Sequence, residues 1–361
     1  MTAGLRFAFF GSSLVSAYWN GACTYYRGLI RALHARGHHV SFYEPHAYER
    51  QEHRDIRDPP YARVVVYEPG SAEAVRAVVR DAEAADVMIK TSGVGVYDDV
   101  LEDAVLQRSD ASLRVFWDVD APATLQRMES DPLDSLRALV PEYDLVLTYG
   151  GGDPVVARYR ALGARRCVPV YNALDPDTHH PVPPDSRYAA DLALMANRLP
   201  DRERRIQEFF FAPAHARPDR SFLLGGNGWS DCTTANVRLL GHVAPGAHNV
   251  VNCSARAVLN VSRDGMAVNG FSPATRVFEV AGAGACLISD AWAGVEDFFA
   301  PGEEILVARD GPDVSSLLDG LAPAQARRIG AAARERALAE HTYSRRAELV
   351  ESVVAEMLAG V

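Results

Sequence analysis

Within the first forty-five residues an apolar run, a helical stripe and a second apolar run follow one another, and that order leaves few folds open. Leu5–Phe10 reads as a strand buried on both faces, and Gly11-Ser12-Ser13 ends it. Asn20 is placed to cap a helix whose apolar face is Tyr26, Leu29, Ile30 and Leu33, spaced i, i+3, i+4 and i+7. Gly37 closes that helix and Val40–Tyr43 begins the next strand. A strand, a crossover helix and a strand commit the sheet to parallel pairing.

The alternation persists. Arg63–Tyr67 reads as a strand and Ala72–Ala85 as a helix with Val75, Val78, Val79 and Ala82 on one face. Strands follow at Asp86–Lys90, Leu113–Val119, Leu145–Tyr149 and Cys167–Tyr171. The Pro-rich stretch 175–185 breaks the rhythm and reads as an interdomain linker. A second series comprises Leu192–Ala196, Ser221–Leu224, Val237–Leu240, Ala257–Val261, Ala285–Ser289 and Ile305–Val307. Helices over 324–340 and 344–358 end the chain. The expectation is an α/β protein of two doubly wound, Rossmann-like domains, residues 1–175 and 186–340, with a ligand in the cleft between them. The last helix, in 341–361, carries a wide apolar stripe and is expected to pack back across the domain junction.

Composition excludes several functions. The formal charge of −10 argues against a nucleic-acid partner. Lys90 is the only lysine, so 36 of the 37 basic residues are arginine, and neither a Walker A loop nor a second Schiff-base amine is available. An anion must therefore be held by arginine or by backbone N–H groups. The five cysteines are scattered and form no CxxC, which fits a reducing, cytoplasmic compartment and speaks against zinc; no metal site is expected. His38-His39 and His179-His180 are adjacent pairs, which cannot both face one ion from a regular helix or strand. No stretch of 18 apolar residues suggests a transmembrane segment.

Three sites carry candidate chemistry. Gly11 follows the first strand and Glu44 ends the second, as in a dinucleotide fold, but GSSLVS lacks the further glycines of GxGxxG, which weighs against nicotinamide. Gly11 and Ser12 are still placed to offer N–H groups and a hydroxyl to a ligand. In 257–300 a strand ends at Asn260, a polar loop runs to Ser272-Pro273, and a helix starting near Ala274 carries Thr275, Arg276 and Glu279. A helix start favours an anion, and a Glu one turn in can accept both hydroxyls of a vicinal diol such as ribose. Taken alone, Glu279 also reads as a surface partner of Arg276. Asp118-Val-Asp120 reads as a DxD that could share a divalent ion, or as acceptor-side groups including a general base.

The segment RVFEVAGAGACLISD (276–290) resembles the donor site of group 1 glycosyltransferases, most closely the spore maturation (CgeB-like) branch. NVSRDG (260–265), FFAPGEEILVARD (298–310), GNGW (226–229), EHTYSRRA (340–347), GLIRALHARGHHVSFYE (28–44) and FWDVDAPATL (116–125) resemble the same branch, in order along the chain. The resemblance implies a GT-B fold and transfer of a sugar from a nucleoside diphosphate sugar to an acceptor hydroxyl, and arginines with a helix N-terminus at the diphosphate would make that transfer metal-independent. Retention of configuration is usual in that group. It places Glu279 on the ribose diol, Ser272 and Thr275 near the diphosphate and sugar, and Arg198 and Arg202 on the diphosphate, with Arg263 and Arg276 as further candidates. Trp229 stands between stacking on a base and packing, and Arg204 reads as solvated. His341 and Tyr343 read as packing residues. Many group 1 enzymes carry another Glu eight residues before the ribose Glu; here that position is Phe271, so donor sugar identity is not transferable. The implied partners are a nucleotide sugar and a small-molecule, glycan or protein acceptor, without a resident cofactor. The alternatives are a nucleotide-sugar epimerase of the same fold and a non-catalytic sugar-nucleotide-binding module.

Overall fold

The computed structural model describes residues 4–18, 20–82, 84–107 and 112–359. The chain divides into two compact units, one running to Tyr171 and completed by the chain from Tyr343 onward, the other Asn172–Thr342.

The first unit is a seven-stranded parallel sheet of β1 (Arg6–Phe10), β2 (His39–Pro45), β3 (Arg63–Tyr67), β4 (Val87–Thr91), β5 (Leu113–Asp118), β6 (Leu145–Thr148) and β7 (Cys167–Pro169). The spatial order is β3-β2-β1-β4-β5-β6-β7, so the connection reverses between β1 and β4. Phe7, Phe9 and Phe10 are buried, as the apolar run requires. The predicted helix over 72–85 spans Ala72–Asp81, and position 83 lies outside the described residues. The helix after β1 spans Cys23–Ala35 and has Ala22, not Asn20, at its N-cap. Asn20 instead knots the preceding loop: its amide donates to the carbonyls of Ser13 (2.8 Å) and Ser16 (3.0 Å).

The last helix, Tyr343–Ala359, belongs to this unit and lies on Cys23–Ala35. The contact is close at Gly28, where a Cβ would fall 2.3 Å from the Tyr343 ring. Arg36 Nε donates to Glu351 at 2.6 Å on its rim.

The second unit is a six-stranded parallel sheet of β8 (Ala190–Met195), β9 (Phe222–Gly225), β10 (Val237–Gly241), β11 (Ala255–Asn260), β12 (Leu287–Asp290) and β13 (Leu306–Ala308). Its order is β10-β9-β8-β11-β12-β13, which places a topological switch between β8 and β11. The stretch 175–185 belongs to this unit, where Asp185 N–H donates to Ser254 Oγ at 2.8 Å. His341 packs among Phe278, Phe298 and Phe299, with Nε2 2.9 Å from the Phe298 carbonyl. No helix among the described residues is long and apolar enough to cross a membrane. The five cysteines are free thiols.

Candidate active site

In a doubly wound sheet the crevice beyond the carboxyl ends of the strands, at the switch point, is where a ligand binds. In the second unit that location receives Arg202 from the segment after β8, and Arg263, Arg276 and Glu279 from the segment after β11.

Arg202 is half-buried, and burial lowers its pKa; the neighbouring charges of Arg276 and Arg263 lower it further. Arg202 thus lies within electrostatic reach of two further guanidinium groups, whose effect the carboxylates of Asp201 and Asp290 partly offset. Arg202 Nη2 donates to the Asn197 carbonyl at 2.9 Å, while its Nε is buried with no partner among the described residues. Arg263 is exposed and pairs with Asp201 at 2.5 Å. Arg276 Nη1 is buried without a hydrogen-bond partner and lies 3.8 Å from Glu279 Oε2.

Arg276 and Glu279 share the helix Thr275–Gly282. Its N-cap, Ala274, has no side-chain acceptor for the first N–H groups. The loop entering this helix is bent by Gly270 and Phe271, both in the left-handed region (φ +68° and +45°). Phe271 N–H donates to the Ala293 carbonyl at 2.7 Å. Its ring covers Gly294, where a Cβ would fall 2.2 Å away, so the turn admits no side chain at that glycine. Ser272 is buried and Thr275 half-buried beside it.

Glu279 is 13% exposed, and no hydrogen bond from a described residue reaches its carboxylate. Oε1 lies 3.8 Å from His179 Nε2. Burial lowers the pKa of both His179 and the nearby His248. A buried carboxylate oxygen without a donor is expensive, and two ligand hydroxyls would satisfy it.

The other candidates are placed differently. Arg198 is already neutralised, bonded to Glu203 and Asp231 at 2.8 Å each, and its guanidinium lies 5.2 Å from the centre of the Trp229 ring. Trp229 itself is 3% exposed and donates Nε1–H to the Ala196 carbonyl at 2.7 Å, so it packs and offers no face to a base. Arg204 is solvent-exposed.

In the first unit, the Gly11 N–H and the Ser12 hydroxyl, both expected to face a ligand, are taken up within the protein. Gly11 N–H donates to the Tyr43 carbonyl at 3.1 Å, and Ser12 Oγ donates to Asn20 at 2.9 Å. Gly11 is needed for packing, because a Cβ there would fall 2.5 Å from the Phe42 ring. Glu44 is fully buried and accepts from Ser13 Oγ (2.9 Å) and Leu14 N–H (2.6 Å), which spends the carboxylate that a ribose would need.

Asp118, expected as an acceptor-side base, is fully buried and likewise engaged by donors of its own unit. Oδ1 accepts from Ser92 Oγ (2.8 Å), Thr124 Oγ1 (2.9 Å) and the Asp120 N–H (3.0 Å), and Oδ2 from the Tyr159 hydroxyl (2.5 Å). It ties the end of β5 to the helices beside it. Asp118→Asn keeps the shape but turns a donor toward Tyr159, and should cost about 1–2 kcal/mol in urea unfolding while the fold persists. An unchanged midpoint would show that the network contributes nothing. Asp120 is exposed where β5 gives way to the helix Ala121–Ser130.

His179 and His248 are the site residues that sequence reasoning missed. One lay in an adjacent pair set aside as unable to share an ion, the other in no motif, and only the fold brings them to Glu279.

Residues 202–352 match a family model described as glycosyl transferase-like. No curated protein matches. Among solved structures the chain is similar to a sucrose-phosphate synthase from Thermosynechococcus elongatus, at 15% identity and TM-score 0.71 over 99% of this chain and 100% of that one. It is similar to Anabaena Alr3699/HepE in complex with UDP-glucose, at 14% identity and TM-score 0.66 over 99% and 100%. An α-glucosyltransferase in complex with UDP and a 13-mer DNA is 12% identical, with TM-score 0.70 over 98% and 100%. The fold is therefore GT-B: two Rossmann-like units with parallel sheets of seven and six strands.

Proposed function

We propose that the chain is a glycosyltransferase that moves a sugar from a nucleoside diphosphate sugar to an acceptor hydroxyl. The observation that carries this reading is the half-buried Glu279 carboxylate, whose Oε2 is buried without a hydrogen-bond donor, one helical turn from Arg276 and at the switch point that Arg202 and Arg263 also reach. The match over 202–352 covers the same segment, and solved neighbours include UDP and UDP-glucose complexes. A closer kinship with the spore maturation branch rests on the motif resemblance.

In this reading Glu279 accepts the two ribose hydroxyls. Arg202, Arg276 and the start of the helix Thr275–Gly282 surround the diphosphate, with Arg263 at its edge and Ser272 and Thr275 beside the sugar. As the anomeric C–O bond breaks, the electron pair and the growing negative charge go to the diphosphate, where fixed cations stabilise them more than in the ground state. The acceptor oxygen forms the new bond. With retention, the leaving phosphate takes the acceptor proton and no protein base is required; with inversion, a protein base is needed.

Because arginines meet the diphosphate charge, a divalent ion is unnecessary for turnover. Excess EDTA is expected to leave activity intact, and a complete loss restored by Mg²⁺ or Mn²⁺ would refute this. The reaction class is tested by incubating the chain with nucleotide sugars and no acceptor. Slow release of nucleoside diphosphate supports the transferase, a sugar isomer without release identifies an epimerase, and binding without turnover identifies a binding module.

A further inference from the structure

His179, His248 and Glu279 each offer one ligand atom, and the three atoms lie within 4.8 Å of one another. They come from three separate stretches of one unit: the segment before β8, the first position of the helix His248–Ser254, and the helix Thr275–Gly282. We propose that this trio is a binding site for a zinc-class divalent cation, and that its occupation withdraws Glu279 from the nucleotide, so that the metal inhibits rather than assists. The second half of this inference rests on the ribose role of Glu279 proposed above.

The donor set supports the choice of ion. Two imidazoles and one carboxylate form the three-protein-ligand set that zinc takes while keeping a fourth position for water. Calcium and magnesium prefer all-oxygen shells, which this trio cannot supply. In a tetrahedral site, ligand atoms stand about 3.3 Å apart. His179 Nε2 and Glu279 Oε1, at 3.8 Å, need close only slightly.

The surroundings fit as well. His248 Nε2 lies 3.3 Å from the Val243 carbonyl. If Nε2 carries the proton and donates it to that carbonyl, the Nδ1 lone pair is the one left for an ion, the usual outer-shell arrangement of a ligating histidine. His179 is buried, which shields the site from solvent. The Arg276 guanidinium, 3.8 Å from Oε2, opposes a cation, so the site is expected to be moderate in affinity and readily emptied by a chelator.

The test uses the full chain stripped with EDTA. Co²⁺ titration should give the intense visible bands of a tetrahedral site at one ion per chain, and Zn²⁺ should bleach them. The bands should be lost in His179→Gln and in His248→Gln, each checked for unchanged thermal unfolding in metal-free buffer. Zn²⁺ should weaken binding of nucleoside diphosphates to the unaltered chain and not to the histidine variants. Absent bands, bands that survive in both variants, or zinc and nucleotide binding independently would overturn the proposal. Bands lost in both variants while no nucleotide binds the metal-free chain would support the metal site and refute the ribose role, so the two failures are distinct.

Discussion

Arg202→Ala is expected to lower kcat with a nucleotide sugar by about 10²–10³-fold, the cost of removing one fixed donor from developing transition-state charge. Burial and the charges of Arg276 and Arg263 disfavour its cation more than Asp201 and Asp290 favour it, so the charge is held there against a net electrostatic cost. An anion joining the cluster reverses that cost, and does so more as the diphosphate gains charge in the transition state. The loss should therefore fall on kcat more than on KM. Arg202→Lys keeps the charge without the planar fork, and should recover part of the rate. Arg198→Ala is the contrasting variant. Glu203 and Asp231 already neutralise that side chain, so its effect should be far smaller. Equal losses at the two positions would place the phosphate grip elsewhere.

Glu279→Ala should weaken nucleoside diphosphate binding by about 100-fold, equivalent to ~3 kcal/mol for two hydrogen bonds from a ribose diol to a carboxylate. Stability should fall only modestly. No described donor bonds to this carboxylate, and what its removal costs is the long 3.8 Å pairing with Arg276, whose Nη1 is buried without a hydrogen-bond partner. A large loss of affinity with at most a small fall in the unfolding midpoint is the expected pattern. Unchanged affinity in calorimetry would remove the ribose role, and a collapse of the fold would make the carboxylate structural.

Much of the architecture was legible because parallel strands buried on both faces are written as apolar runs. Phe7, Phe9 and Phe10 in β1 and Leu192 and Leu194 in β8 are core residues that no other element type would explain as simply. Strand β10 is an edge strand with exposed Arg238 and Leu239, and it was still legible from Val237–Leu240. Side-chain roles were legible only where spacing is local. Arg276 and Glu279 lie three residues apart on one helix, so their proximity follows from helical geometry.

The misreadings share one cause: a polar side chain in a loop has many partners, and sequence does not show which it takes. Asn20 had the chemistry of a cap, yet its amide meets two carbonyls of its own loop. Arg198 and Arg202 stand four residues apart, and the contrast between them depends on Asp231, which arrives from a different strand connection. Asp118 and Asp120 looked equivalent in WDVDAP. The difference is that Tyr159, 41 residues later, donates to the first. His248 joins His179 and Glu279 only through the fold, and no local pattern marks it.

On the proposed function, the second unit holds a nucleoside diphosphate through Glu279 and the arginines around it. The direct measurement is the thermal unfolding of the full chain across a panel of nucleoside diphosphates, beside the Glu279→Ala chain. One nucleotide should stabilise the unaltered chain by ~2.7 kcal/mol when present at ~100 times its dissociation constant, and the same concentration should give the variant almost nothing. No stabilisation by any nucleotide in the panel, or equal stabilisation of both chains, would contradict the account.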